Sequence, residues 1–259
     1  MVLGMDFKTI AYTVSGPVAR ILLKRPPVNV LNIEMMKEIN EALKLVQATS
    51  GLRVLVFQAE GKFFSAGVDV AEHTKDKVRE MIEVFHDIFN NLNKVKVPTV
   101  ALCAGPALGG GCEVALWCDF VLASEKAKFG QPEIKVGVFP PIAAYLLPNT
   151  IPMKYAAEML LTGDTYTSAE MKAMGLVNRV FPDDKFQAEA EAFLEKITSN
   201  SAVVLEMTKK AMLAAKGKSY DQAMPDIEHI YLNKLMGTED ASEGLKAFME
   251  KRKPVWKDK

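Results

Sequence analysis

The chain has 259 residues, with 32 Lys and Arg against 32 Asp and Glu, 49% apolar and 25% charged residues. That is an ordinary globular composition, long enough for one large domain or two small ones, burying roughly 70–75% of the unfolded surface without staples. Zero net charge gives no electrostatic reason to expect nucleic acid, whose binding rests on Lys and Arg contacts to phosphate, and disfavours a polyanion partner; a small anionic ligand stays open. Cys103, Cys112 and Cys118 are odd in number, lack CxxC spacing and fall in an apolar stretch. They are expected to be reduced core residues, with no metal or redox role. The opening residues MVLGMDFKTI carry no signal-peptide or transit-peptide pattern, and no apolar run reaches the ~18 residues of a membrane span. The expectation is a cytoplasmic protein without a membrane partner.

In chain order, Phe7 to Val14 and Val18 to Arg25 are β-rich runs around the turn Ser15-Gly16-Pro17, a hairpin signal. Met36, Ile39, Leu43 and Val46 recur at helical spacing, which predicts a helix over Ile33 to Ala48 stopped before Gly51. Val54 to Gln58, Pro98 to Ala104 and Asp119 to Ala123 are short, mostly apolar runs of the kind found in strands buried on both faces. Between the first two lies a loop, Ala59 to Asp69, and then an amphipathic helix from about Lys75 to Asn93 with its stripe on Val78, Met81, Ile82, Phe85, Ile88, Phe89 and Leu92. Alternation of strand and helix in the first half argues for an α/β protein with a largely parallel sheet. Helices follow at about 152–161, 168–174, 184–198, 201–215, 220–236 and 239–251, with Thr167 and Glu170 fitting a capping box and Gly175 a helix stop.

Chemistry is most visible around Gly109-Gly110-Gly111, which follows a buried strand and leads into a short apolar helix from Cys112 to Trp117. Each glycine costs backbone entropy and is kept where the chain approaches something closely. A helix starting at a strand's C-terminal end also points free N–H groups outward as donors for an oxyanion. A tight strand-to-helix turn explains the glycines equally well. Neither the P-loop nor the GxGxxG pattern fits. Glu113 sits among Val114, Ala115, Leu116 and Trp117. A carboxylate there is costly unless partnered, so it is either an acid/base group or a buried hydrogen-bond partner. Glu133, before the mostly apolar stretch Ile134 to Leu147, is a second candidate, although a lone Glu in a loop is usually solvated. His73, His86 and His229 have no mutual metal-ligand spacing, and GxSxG is absent.

Phe64-Ser65-Ala66-Gly67-Val68-Asp69, then Gly105 to Glu113, then Phe129-Gly130-Gln131-Pro132-Glu133, in this order and spacing, resemble the crotonase, or enoyl-CoA hydratase/isomerase, superfamily. The likeness continues through Leu161 to Asp164, Ala173 to Val177 and Glu250 to Lys253. It implies an α/β fold with a ββα-spiral, acyl-CoA-binding catalytic core over residues 1–198 and a helical C-terminal trimerisation region over 199–259. The implied assembly is a homotrimer or a homohexamer built as a dimer of trimers. The implied substrate is an acyl-CoA thioester, with coenzyme A part of the substrate and no separate cofactor or metal. Carried over by motif, the backbone N–H groups of Val68 and Gly110 form the oxyanion hole and Glu113 and Glu133 are the catalytic pair. Ala66, Val68, Gly109, Gly110 and Pro141 line the thioester site, and Lys251 is the candidate for the CoA phosphates.

Two glutamates are the pattern of the hydratases in this superfamily, which makes hydration of an α,β-unsaturated acyl-CoA the expected reaction. An enoyl-CoA isomerase using mainly Glu133, and a non-catalytic RNA-binding or scaffold homologue, are the alternatives. Common hydratases continue after the second Glu into Pro-Gly-x-Gly-Gly, whereas this chain has Phe139-Pro140-Pro141-Ile142-Ala143-Ala144-Tyr145. That stretch, with Val68 to His73, is more similar to the cyclic dienoyl-CoA hydratases of anaerobic benzoyl-CoA degradation. It points to cyclohexa-1,5-diene-1-carbonyl-CoA as the specific substrate. Proline at 141 also removes a backbone N–H from the acyl pocket.

Overall fold

The computed structural model describes residues 7–259; residues 1–6, part of the segment read above for a targeting signal, lie outside it. Its first half interleaves β1 (Ile10–Ser15), β2 (Val18–Leu23), α1 (Ile33–Ala48), β3 (Val54–Ala59), α2 (Val78–Leu92), β4 (Thr99–Cys103), β5 (Ala107–Leu108), α3 (Gly110–Trp117), β6 (Phe120–Ser124) and β7 (Lys128–Gly130). After these come α4 (Pro141–Leu146), α5 (Met153–Thr162), β8 (Thr165–Thr167), α6 (Ser168–Ala173), β9 (Arg179–Phe181) and α7 (Phe186–Thr198). Three helices end the chain: α8 (Ala202–Ala215), α9 (Tyr220–Asn233) and α10 (Glu239–Met249).

Strands order β1-β2-β3-β4-β6-β9 in one sheet, with only the β1/β2 hairpin antiparallel. Period-two alternation explains why both faces of its centre are apolar. Leu55 and Phe57 of β3 with Ala101 and Cys103 of β4 join the main core under α1, α2 and α3. Val54 and Val56 with Val100 and Leu102 instead pack on Phe186, Ala190, Leu194 and Ile197 of α7. All three cysteines are buried and free.

A second sheet, β5-β7-β8, was not visible as strands in the sequence, because two or three residues are too few to show a period. It sets the site: β5 pairs in parallel with β7, so the loops leaving them toward α3 and α4 emerge side by side. The expected capping box is present, with Thr167 accepting from the Glu170 N–H.

The C-terminal helices are tied to the rest by the chain's own tail. The Asp258 carboxylate takes both Arg53 (3.0 Å) and the Ala202 N–H (2.8 Å), and Trp256 Nε1 donates to Ser199 O (2.7 Å). Buried Asp240 accepts the N–H groups of Lys257 and Asp258. Among the described residues no helix is long and apolar enough to cross a membrane.

Candidate active site

Three segments converge at the C-terminal ends of β3, β4 and β7, where ligands bind in open α/β sheets. The first is the loop 60–69. Its Gly67 carbonyl accepts Leu31 N–H at 2.8 Å. Across a trans peptide the carbonyl and the next N–H point in opposite directions, so Val68 N–H is turned away from Leu31 and donates to no backbone carbonyl among the described residues. Gly67 has φ +102°, and a Cβ there would lie 3.4 Å from Gly110 N, so the two loops touch.

The second segment enters α3. This helix begins at Gly110, two residues before the position expected from the apolar pattern, because the glycines themselves form its first turn. Gly110 is therefore a first-turn residue whose N–H has no partner within the helix. Each glycine of the triplet is pressed by a different neighbour. A Cβ on Gly109 would collide with Glu133 Oε1, one on Gly110 would meet Val68 Cγ2 at 2.6 Å, and one on Gly111 would meet Ser65 Cβ at 2.5 Å. Close approach, not turn geometry alone, accounts for the run.

Glu113 follows on the same helix, 2% exposed. Its Oε1 accepts the Ala143 N–H at 2.6 Å. Burial pushes its carboxyl up to about 8, with the neighbouring Glu133 charge adding to the rise and the Ala143 and Ile142 N–H groups opposing it. Glu133, in the third segment, is held over Gly109, and its Oε2 is buried without a hydrogen-bond partner among the described residues. Burial lifts it to about 7. The two carboxyls thus occupy one site and titrate as a pair. The N–H groups of Ala143 and Ile142 favour the ionised form of Glu113, against only its own backbone N–H at Glu133, which places the shared proton on Glu133.

Pro141 and Ala143 show what the sequence left unread. The run from Val136 to Leu147 contains a helix, α4, with Pro141 at its first position, where a missing N–H costs nothing within the helix. The proline pair was a start signal for the very turn that carries the N–H held by Glu113. Gln131 was also missed: it is fully buried and neither end of its amide has a partner among the described residues, although nothing in a lone loop glutamine announces this. Ala66, half-buried, donates its N–H to Val28 O and belongs to the wall of the site. Lys251 stands apart, exposed just after α10, a helix that packs on α8 and the turn 235–237. Asp69 has structural duties, accepting from Ala71 N–H and lying 3.7 Å from the Arg25 guanidinium. Among the described residues no cluster of three His, Cys, Asp or Glu side chains has metal-binding proximity.

Two unpaired N–H groups opposite a buried carboxyl pair define a class of site suited to chemistry beside a carbonyl, with donors for its oxygen and an acid/base pair for its neighbouring carbons. The chain belongs to the enoyl-CoA hydratase/isomerase family, whose sequence model matches residues 13–259. A probable mitochondrial enoyl-CoA hydratase of Dictyostelium discoideum is 36% identical over 98% of this chain and 92% of its own length. A cyclohexa-1,5-dienecarbonyl-CoA hydratase of Thauera aromatica is 35% identical over 94% of each chain. Among solved structures, an enoyl-CoA hydratase from Bacillus anthracis superposes with a TM-score of 0.92 at 28% identity, covering 97% of this chain and 100% of its own.

Proposed function

We propose that the protein adds water across the double bond of an α,β-unsaturated acyl-CoA. The observation that carries this reading is the pairing of Glu113 and Glu133, both raised into the neutral range, beside the unpaired N–H groups of Val68 and Gly110. The thioester oxygen accepts from those two N–H groups, which draws electron density off the β-carbon. Glu113, ionised and oriented by Ala143, takes a proton from water as the water oxygen bonds to the β-carbon. The electron pair of the double bond moves toward the thioester, and charge on its oxygen is met by the two donors. Glu133 delivers its proton to the α-carbon. One proton passing from Glu113 to Glu133 then restores the pair, so the net change is addition of one water. A non-catalytic RNA-binding or scaffold role gives no reason to bury two carboxyls together.

The finer reading is a cyclic dienoyl-CoA, cyclohexa-1,5-diene-1-carbonyl-CoA. It is supported by the Thauera aromatica relative and by the FPPIAAY stretch that builds α4 where common hydratases have a glycine-rich loop. Crotonyl-CoA and the cyclic dienoyl-CoA, assayed side by side in deuterated water, test both levels. Turnover of the cyclic diene with deuterium at carbon and net gain of water is expected. Fast hydration of crotonyl-CoA with none of the diene would remove the finer reading, and double-bond migration without water gain would make the enzyme an isomerase.

We assign residues 199–259 to assembly. Helix α8 carries Val203, Val204, Leu205, Met207, Met212 and Leu213 yet has no buried residue, and Phe248 and Met249 at the end of α10 are 85% and 74% exposed. Exposed apolar side chains of this kind suit an interface. Light scattering should therefore give three or six times the 28.5 kDa of one chain; a monomer at micromolar concentration would refute it. In such an assembly Lys251, exposed just after α10, is the candidate to meet the CoA phosphates of a neighbouring copy.

A further inference from the structure

We infer that Ser65 is a positioning residue that sets the spacing and aim of the two N–H donors at the candidate oxyanion hole, a role that rests on the hydratase reading above. Ser65 is fully buried, and its hydroxyl works in two directions. Oγ donates to Asn29 O at 2.7 Å and accepts Gly67 N–H at 3.2 Å. Its backbone is bonded to the other side of the site, with Ser65 N–H to Pro106 O and Leu108 N–H to Ser65 O at 2.9 Å. The Ser65 side chain is also the surface on which Gly111 rests, with 2.7 Å between Oγ and a Cβ placed there. One residue therefore touches the segment that ends in Val68 N–H and the turn that presents Gly110 N–H.

Its partner Asn29 is built to be immobile. It is fully buried with φ +49°, its Nδ2 donates to Glu60 O and Phe63 O, both at 2.9 Å, and its Oδ1 accepts Arg25 N–H at 2.8 Å. The turn around it supplies Val28 O to Ala66 N–H and, just past it, Leu31 N–H to Gly67 O. That last bond orients the Gly67–Val68 peptide. Ser65 thus links an anchored loop to the peptide before the first donor, while its own Cβ limits how near α3 approaches. An oxyanion hole acts only when its donors stand about 2.7–3.1 Å from the developing charge, and a misplacement of ~1 Å costs up to ~100-fold. Removing the hydroxyl frees Gly67 N–H and Asn29 O without deleting either donor.

The test uses the purified full-length protein, its best acyl-CoA substrate, and dimethylaminocinnamoyl-CoA, a conjugated thioester whose absorption moves to the red when its carbonyl is polarised. Ser65→Ala should lower kcat about tenfold, against the ~100-fold or more for loss of a whole donor, with KM within about twofold. The red shift of the bound chromophore should shrink in parallel. Ser168→Ala is the matched control: that hydroxyl is equally buried, donates to Ser124 O and Ala127 O at 2.7 and 2.8 Å, and lies outside the site. It should lower thermal stability while keeping kcat and the red shift. Should Ser65→Ala not fold, Ser65→Cys, which keeps a weak donor in place, carries the same comparison with a smaller loss.

Wild-type kcat and red shift in the Ser65 variant would overturn the inference, as would an equal loss in Ser168→Ala. If the wild type polarises the chromophore in a Ser65-dependent way but hydrates no enoyl-CoA, the hydratase reading falls and the positioning role stands. A wild type that does neither overturns both.

Discussion

Glu113→Gln and Glu133→Gln should each lower hydration about 100- to 10,000-fold, the range expected for loss of one general acid or base, while acyl-CoA binding changes little. The amide keeps the size of the side chain and removes only the titrating proton, so a binding loss is not expected from either change. In the wild type both carboxyls lie in the neutral range, at about 8 and about 7. Below that range both are protonated and no base remains; above it both are ionised and no acid remains. The pH profile of kcat/KM should therefore be a bell that peaks between the two steps, and each variant should lose one limb with its activity. Stability should move the other way. A carboxyl raised on folding from about 4.5 holds a proton in the folded state that the unfolded chain releases, so stability present at low pH is lost as pH rises toward the folded value. At Glu113 the rise corresponds to a few kcal/mol at pH 8, roughly 1.4 kcal/mol per unit. Glu113→Gln should consequently melt above the wild type at pH 8, with the gap closing toward pH 5. Full turnover in either variant would refute the catalytic assignment, and an unchanged melting difference across pH would refute the buried, shared proton.

How far the sequence spoke depended on whether a signal was periodic. Helix α1 spans the expected Ile33–Ala48, because four apolar residues at helical spacing and a glycine stop agree. The long strands β3, β4 and β6 were legible as apolar runs. Strands β5, β7 and β8 were not, and they are what bring the loops of Gly110 and Glu133 together. Glu113 could be singled out from its apolar neighbours alone, but its pairing with Glu133, twenty residues on, was visible only through resemblance to a family. The supports were silent for a different reason. Ser65, Asn29 and Gln131 are residue types that mostly sit in solvated loops, and only burial shows that their polar atoms are committed. Helix α4 was hidden by its prolines, which disfavour a helix interior but suit a first turn.

Gly110→Pro in a Val68→Ala background should cost about 100- to 1,000-fold in kcat, the effect of losing one oxyanion donor, with a small change in KM. The position allows this substitution to remove the donor without breaking the helix, the ring Cδ taking the place of the amide hydrogen. Gly110 opens α3, and proline is at home at the first residue of a helix, where its missing N–H bonds nothing in the chain. The obstacle is space, since a Cβ at this place meets Val68 Cγ2 at 2.6 Å and Phe85 Cζ at 3.0 Å. Val68→Ala removes the nearer atom while keeping the Val68 backbone N–H, and Phe85 meets the new atom with the far end of a ring. The single Val68→Ala variant is the reference and should retain most of its turnover. Gly110→Ala in the same background separates crowding from the donor, because it adds the same Cβ and keeps the N–H. If the alanine and proline variants lose activity equally, the effect is steric and the N–H of Gly110 is no donor to the thioester. A loss of kcat confined to proline with KM unchanged, together with loss of the red shift of dimethylaminocinnamoyl-CoA that still binds, places the developing negative charge at that N–H.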